Sequence, residues 1–268
     1  METLFASGRY LYAIAIIAFG IEHFAFGHSL SALILLPDDT PALSVWVYAI
    51  GIAFLGAGIC IAAGIRIRMV ATFLGLFFFM LYLLFHLPRE IANPKEPGAW
   101  TAAFELIALC GGAFILAQRQ QPRHPGEKWN KTVVDLHASG MYLFASAFIV
   151  IGIQHMLYAD FISTLIPPWI PGPLFWAYFV GIAFFALALS LILRIKVRLA
   201  TTLSGIMFLS WVAILHGPRV AANLHTETEW TSLFIALAMG GISFIVAGAP
   251  PQLFIGLSKK VTIDSISE

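Results

Sequence analysis

The two halves of this chain are similar to each other, and that similarity constrains the fold more than any other feature. Residues 45–116 align without a gap with residues 175–246, where HLPREIAN matches HGPRVAAN and AWT matches EWT. A slightly longer offset aligns FGIEHF at residues 19–24 with IGIQHM at residues 151–156. A similarity at a fixed spacing indicates that one ancestral unit was duplicated and fused. The fold of the first half should therefore recur in the second.

The composition predicts that both units lie in a membrane. Hydrophobic residues make up 60% of the 268 residues, charged residues make up 11%, and the mean hydropathy is +0.88. A water-soluble domain of this length is far less apolar. A run of ~20 apolar residues can cross the ~30 Å hydrocarbon core of a bilayer as a helix. Eight such runs are present, at Tyr10–Gly27, Val45–Gly64, Met69–Phe85, Trp100–Ala117, His137–Tyr158, Leu174–Leu193, Leu199–Leu215 and Trp230–Ala247. The sequence thus predicts an all-α integral membrane protein with eight transmembrane helices.

The distribution of cations predicts the orientation of these helices. If the N-terminus is cytoplasmic, twelve of the 15 lysines and arginines fall in inner loops and tails, and only Arg89, Lys95 and Arg219 fall outside. This bias follows the positive-inside rule and predicts that both termini lie in the cytoplasm, with the protein in the cell (inner) membrane. Because each unit has an even number of spans, both units should insert the same way up, as parallel repeats.

The expected organisation has three parts. A first four-helix unit covers residues 1–117, a hydrophilic cytoplasmic linker covers 118–134, and a second four-helix unit covers 135–268 and ends in a short cytoplasmic tail. A net charge of +1 argues against a nucleic-acid partner, and the apolar surface of the spans is expected to contact membrane lipids. The two cysteines lie inside predicted spans without a CxxC motif, which favours a packing role.

Polar residues concentrate near the predicted outer ends of the spans in the first unit. An ionisable group in a span costs roughly 2.5–3.5 kcal/mol at mid-helix and usually faces protein or water. Glu22 and His23 lie little more than one helical turn inside the first span, Glu105 lies at a similar depth in the fourth, and His86 and Arg89 end the third. We therefore predict that these five residues converge on one outward-facing site, which is catalytic if the protein is an enzyme.

The second unit retains only part of this set. The corresponding residues are Gln154, His155, His216, Arg219 and Ile235. Both histidines and the arginine are retained, but both carboxylates are lost. We interpret the second unit as a degenerate binding site, while residues retained in both copies also fit a structural role in hydrogen bonding between helices. The sequence contains no metal-binding or nucleotide-binding motif.

Two short motifs in each half resemble a known family. GI-x-H occurs as GIEH and GIQH near the outer end of each unit's first span, and H-x-PR occurs as HLPR and HGPR after the third. On these motifs and the four spans per unit, Gly8–Ala117 and Gly140–Gly248 each resemble the DoxX-like family of small bacterial membrane proteins. The resemblance implies a four-helix membrane bundle and an association with quinone-linked redox chemistry, since the family name comes from a subunit of a thiosulfate:quinone oxidoreductase. A tandem duplication departs from the family's usual single unit.

Two functions are compatible with this sequence. In a quinone-interacting redox component, His23 and His86 would contact the ring oxygens, Glu22 and Glu105 would exchange protons, and Arg89 would keep one of these carboxylates ionised. The sequence shows no electron carrier, so a redox partner subunit or a bound cofactor would be needed. Haem is disfavoured because the two histidines lie at different depths. Alternatively, the protein is a non-enzymatic carrier or receptor for a small solute, lipid or other cargo, in which the carboxylates bind a cation or a proton.

Overall fold

The computed structural model describes residues 2–37, 39–120 and 130–249. Within these ranges the secondary structure is helical, without a β-strand. Residues 121–129 of the predicted linker and residues 250–268, which include the predicted tail, lie outside the described residues. The remaining residues are sufficient to define every predicted span.

Within the described residues, eight helices are long and apolar enough to cross a membrane, which confirms the predicted number. They are α1 (Glu2–Phe26), α2 (Leu43–Ala63), α3 (Ile67–Ala92), α4 (Pro97–Gln118), α5 (Lys131–Leu157), α6 (Pro173–Leu193), α7 (Val197–Ala222) and α8 (Glu227–Ala247). A short helix, Ala159–Thr164, follows α5. Several helices extend beyond the predicted apolar runs, because backbone hydrogen bonding continues through polar residues that a hydropathy pattern excludes.

A π-helical turn interrupts α3 and α7 at matching positions, Tyr82–His86 and Val212–His216. In each copy a proline, Pro88 or Pro218, follows two residues after the turn. Proline has no backbone N–H, and its ring clashes with the carbonyl four residues earlier in a regular α-helix. The wider π turn accommodates this clash, so the helix continues to the arginine of each H-x-PR motif. The histidine of each motif therefore lies at an irregular helical turn, as is frequent at functional sites.

Helices α4 and α8 form the centre of the protein. In their apolar windows 72% of the residues are buried, against 22–44% in the other six helices. The two central helices contact each other, while α1 packs on α2 and α8, and α5 packs on α6 and α4. Helix α3 packs on α4, and α7 packs on α8. The first helix of each predicted unit therefore packs against the last helix of the other unit, and the two units are interlocked.

Glycine pairs allow these exchanged helices to approach closely. A Cβ atom added to Gly8 of α1 would lie 2.5 Å from the carbonyl oxygen of Gly241 in α8. At the matching crossing, a Cβ atom on Gly140 of α5 would lie 2.6 Å from the carbonyl oxygen of Gly111 in α4. Small residues of this kind are typical of close helix crossings in membranes. The two crossings therefore use residues at equivalent positions of the aligned segments.

Candidate functional site

Glu22 lies at the contact between α1 and α8. Its side chain is only 4% exposed, and its Oε2 accepts a hydrogen bond from Oγ1 of Thr231. The same threonine Oγ1 is 3.3 Å from Oε1 of Glu227, so carboxyl groups from two units converge on one hydroxyl. A hydroxyl has only one proton to donate, and Oε1 of Glu22 is buried without a hydrogen-bond partner among the described residues. This arrangement leaves a buried polar atom available for a proton or another donor.

Gln154 makes the matching contact between α5 and α4. Oγ1 of Thr101 donates to Oε1 of Gln154 at 3.1 Å, and Nε2 of Gln154 donates to the carbonyl oxygen of Pro97 at 2.8 Å. Thr101 and Thr231 are equivalent residues in the aligned AWT and EWT segments. The change from Glu22 to Gln154 therefore removes an ionisable group while keeping the contact between the helices.

The first histidine of each unit is held in the same way. Nδ1 of His23 lies 2.7 Å from the carbonyl oxygen of the residue four positions earlier, and Nδ1 of His155 lies 2.9 Å from its equivalent. A carbonyl can only accept, so Nδ1 carries the proton, and Nε2 of the neutral ring is an acceptor. In His23 that Nε2 is buried without a partner among the described residues, whereas His155 lines a cavity. The two rings therefore share one tautomer but differ in accessibility.

The two arginines pair with carboxylates close to them in the chain. Arg89 binds Glu96 through Nη2. Arg219 binds Glu229 through two contacts, Nη2 to Oε1 at 3.0 Å and Nε to Oε2 at 2.9 Å. The prediction that Arg89 pairs with a carboxylate deeper in a span is therefore wrong. Arg89 thus ties the end of α3 to the residue before α4, and Arg219 ties the end of α7 to the first turn of α8, so both arginines have a structural contact in their own unit.

The predicted first-unit site is filled by the connection between α1 and α2. Nε2 of His86 donates to the carbonyl oxygen of Leu33 at 3.1 Å. The side chains of Leu30, Leu33 and Ile34 are fully buried in the hydrophobic core. We name residues 29–36 the plug segment. Because of this segment, His86 faces the chain itself rather than an open site.

The plug segment is also tied to α8. The backbone N–H of Ser31 donates to Oε1 of Glu227 at 3.0 Å, and its hydroxyl lies 3.3 Å from Oε2 of the same carboxylate. Glu227 is itself buried, and it shares Thr231 with Glu22. The plug segment, α8 and α1 are thus connected through one pair of carboxyl groups. Sequence comparison did not identify Glu227, because its equivalent in the first unit is Pro97.

A large cavity lies in the second unit. Its volume is about 730 Å³, within the range of small-molecule sites, and its walls come from α4 to α8 and the connection after α5. The four residues that we interpreted as a degenerate site all line it: Gln154, His155, His216 and Arg219. The unit that the sequence indicated to be degenerate therefore contains an open cavity.

Glu105 lines this second-unit cavity as well, although it belongs to the first unit. The expected convergence of Glu105 with Glu22, His23 and His86 in one first-unit pocket is wrong, because α4 presents Glu105 to the cavity bounded by α5. Within the described ranges, the carboxylate of Glu105 makes no hydrogen bond or ion pair with another residue. Ile235, its equivalent in α8, lies on the wall of the same cavity. The carboxylate that is missing from the second unit's own sequence is therefore supplied by the first.

The cavity has a polar end and an aromatic interior. The polar residues come from the ends of α5 and α7 and from the first turns of α4. Farther along the helices, the rings of Phe148 and Phe184 stack at 5.2 Å between centroids, and those of Phe208 and Trp211 meet edge to face at 5.2 Å. Within the described ranges, no group of three or more His, Cys, Asp or Glu side chains is arranged to hold a metal ion. The chemistry of the walls favours an organic molecule with an apolar ring and polar atoms at one end.

In comparisons with protein families, curated proteins and solved structures, no match to this chain was found. The resemblance to the DoxX-like family therefore depends on the two motifs and on the number of spans in each unit.

Proposed function

We propose that the second-unit cavity binds a lipophilic molecule of the quinone class, and that the protein is a quinone-interacting component of a membrane redox system. The observation that carries this proposal is the combination, in one cavity of about 730 Å³, of an aromatic interior with ionisable groups at one end. A flat ring gains favourable contacts with aromatic side chains in offset or edge-to-face arrangements. The oxygens of the ring would then lie among the polar residues.

The polar residues have distinct roles in this proposal. His155 offers an unprotonated Nε2, which can accept a hydrogen bond from the hydroxyl group of a quinol. Glu105 has no hydrogen-bond or ion-pair partner within the described residues, so it can exchange the proton that accompanies each electron. His216 lies on the wall of the same cavity. Gln154 already uses its amide on α4 and therefore positions the helices around the site.

Electrons must come from elsewhere in this proposal. Quinone reduction to quinol consumes two electrons and two protons, and the protein side chains at the cavity supply proton carriers but no electron carrier. We infer that a redox partner subunit or another quinone-reducing protein donates the electrons. The first-unit residues Glu22, His23 and His86 do not line the cavity. We therefore assign quinone binding to the second-unit cavity and not to the first-unit site.

We further infer that the units are parallel repeats about an axis along the membrane normal, with both termini in the cytoplasm of a bacterial cell. Support comes from the equivalent helix crossings at Gly8 and Gly140, and from the equivalent threonine contacts of Glu22 and Gln154. The bias of lysine and arginine supports the orientation. The DoxX-like motifs are compatible with both inferences.

Decylubiquinone binding tests the proposal through intrinsic fluorescence. Trp176 and Trp211 lie on the cavity wall, so a bound quinone should quench them in a saturable manner. Ala236→Leu, which introduces the residue of the equivalent position in α4, should fill part of the cavity and weaken quenching. Trp46→Phe is the matched control, because Trp46 is the equivalent of Trp176 but does not line the cavity.

The same experiment distinguishes quinone binding from the alternative function, a carrier or receptor for lipid. If decylubiquinone does not quench saturably, the quinone proposal is wrong. If oleate or a phospholipid instead protects the cavity from a lipophilic dye, and Ala236→Leu removes that protection, the protein is better described as a lipid carrier or receptor.

A further inference from the structure

We propose that the first unit contains a second ligand cavity of the same kind, which the plug segment closes by acting as an internal occupant. This inference rests on the proposed function, since the ligand class is taken from the open cavity. The first-unit site would then be in a closed state and the second-unit site in an open state of one repeated architecture.

The frameworks around the two sites are equivalent. His23 and His155 have the same backbone hydrogen bond and pack on equivalent rings, Phe54 and Phe184, at centroid distances of 5.8 and 5.2 Å. A Cβ atom on Gly51 of α2 would touch the side chain of His23, and Gly181 of α6 stands in the same relation to His155. The part of the cavity wall around His155 is therefore reproduced around His23 in the first unit.

The difference lies in the connection after the first helix of each unit. The two connections have nearly the same length, from Phe26 to Leu43 and from Leu157 to Pro173. In the second unit this connection forms a short helix and then lines the cavity with Ile162, Leu165 and Ile166. In the first unit it buries three aliphatic side chains completely. Apolar side chains thus occupy the first site where a lipophilic ligand would lie in the second.

The plug segment imitates a ligand at its polar end too. His86 donates to the carbonyl oxygen of Leu33 at 3.1 Å, whereas its equivalent, His216, is left on the wall of the open cavity. A ring carbonyl of a quinone could accept the same hydrogen bond. The backbone carbonyl of Leu33 therefore takes the place of a ligand oxygen.

Glu227 explains why only one of the two sites is closed. Its carboxylate holds both the N–H and the hydroxyl of Ser31. The equivalent residue in the first unit is Pro97, which has no side-chain acceptor to hold the connection after α5. The residue that aligns with Ser31 is Ser163, whose hydroxyl instead binds the carbonyl of Asp160 within its own short helix. The contact that holds the plug segment in place therefore depends on Glu227, a carboxylate that is present in only one of the two units.

The test counts decylubiquinone bound per full-length protein in lipid nanodiscs, by extraction after removal of free ligand. We expect one bound molecule in the parent and an increase towards two in Glu227→Ala, because this substitution removes the carboxylate that holds Ser31 of the plug segment. Glu227→Gln keeps an acceptor for the Ser31 N–H and is the matched control, with one molecule expected. In Glu227→Ala combined with Ala236→Leu, the remaining molecule should occupy the first unit.

The outcomes separate the two proposals. If one molecule binds to both the parent and Glu227→Ala, the proposed first-unit cavity is overturned and the proposed function is unaffected. If two molecules bind to the parent, the plug segment does not close the first-unit cavity. If none binds to the parent, the proposed function is overturned, but a molecule gained in Glu227→Ala would still support the first-unit cavity. No binding to either protein overturns both.

A labelling experiment tests the plug segment independently of the ligand. Cys60→Ser and Cys110→Gly remove the native thiols by introducing the residues of the second unit. In that background Leu33→Cys should resist a membrane-permeant maleimide, and adding Glu227→Ala should make it reactive. If Leu33→Cys reacts equally slowly with the maleimide in the presence of Glu227 and in the Glu227→Ala variant, the proposal is overturned, whether or not quinone binds.

Discussion

Thr231 of α8 donates a hydrogen bond to Glu22 of α1, and this contact joins the last membrane helix to the first at a buried position. The equivalent contact between Thr101 and Gln154 joins the other pair of exchanged helices. Each candidate site is therefore built from both units. A residue's place in the sequence repeat does not determine which site it belongs to.

Glu22→Gln should fold and bind quinone like the parent. The amide can accept from Thr231 and donate to the carbonyl of Glu227, as Gln154 does in its own contact. Thr231→Val leaves the carboxylate without its donor and should cost about 1–3 kcal/mol. Thermal unfolding in detergent, followed by size-exclusion chromatography, measures the stability of both variants. A loss of decylubiquinone affinity in Glu22→Gln would contradict the assignment of binding to the second unit.

Glu105→Ile should weaken decylubiquinone binding by roughly tenfold or more, because a hydrogen bond to a charged group is worth about 1.5–3 kcal/mol. The substitution introduces the residue found at the equivalent position, Ile235, and adds no polar group to the cavity. Glu96→Gln is the control, since Glu96 pairs with Arg89 and does not line the cavity. Equal affinities for both variants, measured by fluorescence quenching, would show that Glu105 does not contact the ligand.

Gly8→Ala should destabilise the protein by about 1–3 kcal/mol, since the added methyl group meets the backbone of α8 and cannot be accommodated by a side-chain movement. Gly56→Ala is the opposite case. No atom lies within 4 Å of a Cβ atom there, so the higher helix propensity of alanine should make the change neutral or stabilising by up to ~1 kcal/mol. A stable Gly8→Ala protein would rule out the close crossing of α1 and α8.

The orientation can be tested by cysteine labelling of intact cells. In the background without native cysteines, Asn223→Cys should react with an impermeant maleimide added outside, and Lys131→Cys should react only after the cells are opened. This expectation follows from the positive-inside rule. The reverse pattern would invert the topology and place both candidate sites on the cytoplasmic side.

The number of membrane helices could be predicted because ~20 apolar residues are required to cross the bilayer. The partners of those helices could not. All eight spans are apolar, and glycines occur on several of them, so hydropathy does not distinguish packing of α1 on α4 from packing on α8. Thr101 and Thr231 provided a signal, since both copies retain them, but only the structure shows that each contacts the other unit.

The plug segment was equally hidden in the sequence. Leu30, Leu33 and Ile34 are apolar residues in a connection, and such residues can face lipid, line a cavity or fill it. Which of these occurs depends on Ser31 and on Glu227, almost two hundred residues away. The open cavity was misassigned for a related reason: counting carboxylates within one unit omits Glu105, which α4 supplies to the other.

Photolabelling with an azidoquinone in nanodiscs tests the central claim most directly. If the second-unit cavity binds the quinone class, adducts identified by mass spectrometry should fall on cavity residues such as Met207 and Met239, and excess decylubiquinone should suppress them. Ala236→Leu should reduce the same adducts. Adducts confined to exposed residues such as Ile52 and Ile182, unaffected by competitor, would show that the quinone only partitions into lipid and that the cavity has another purpose.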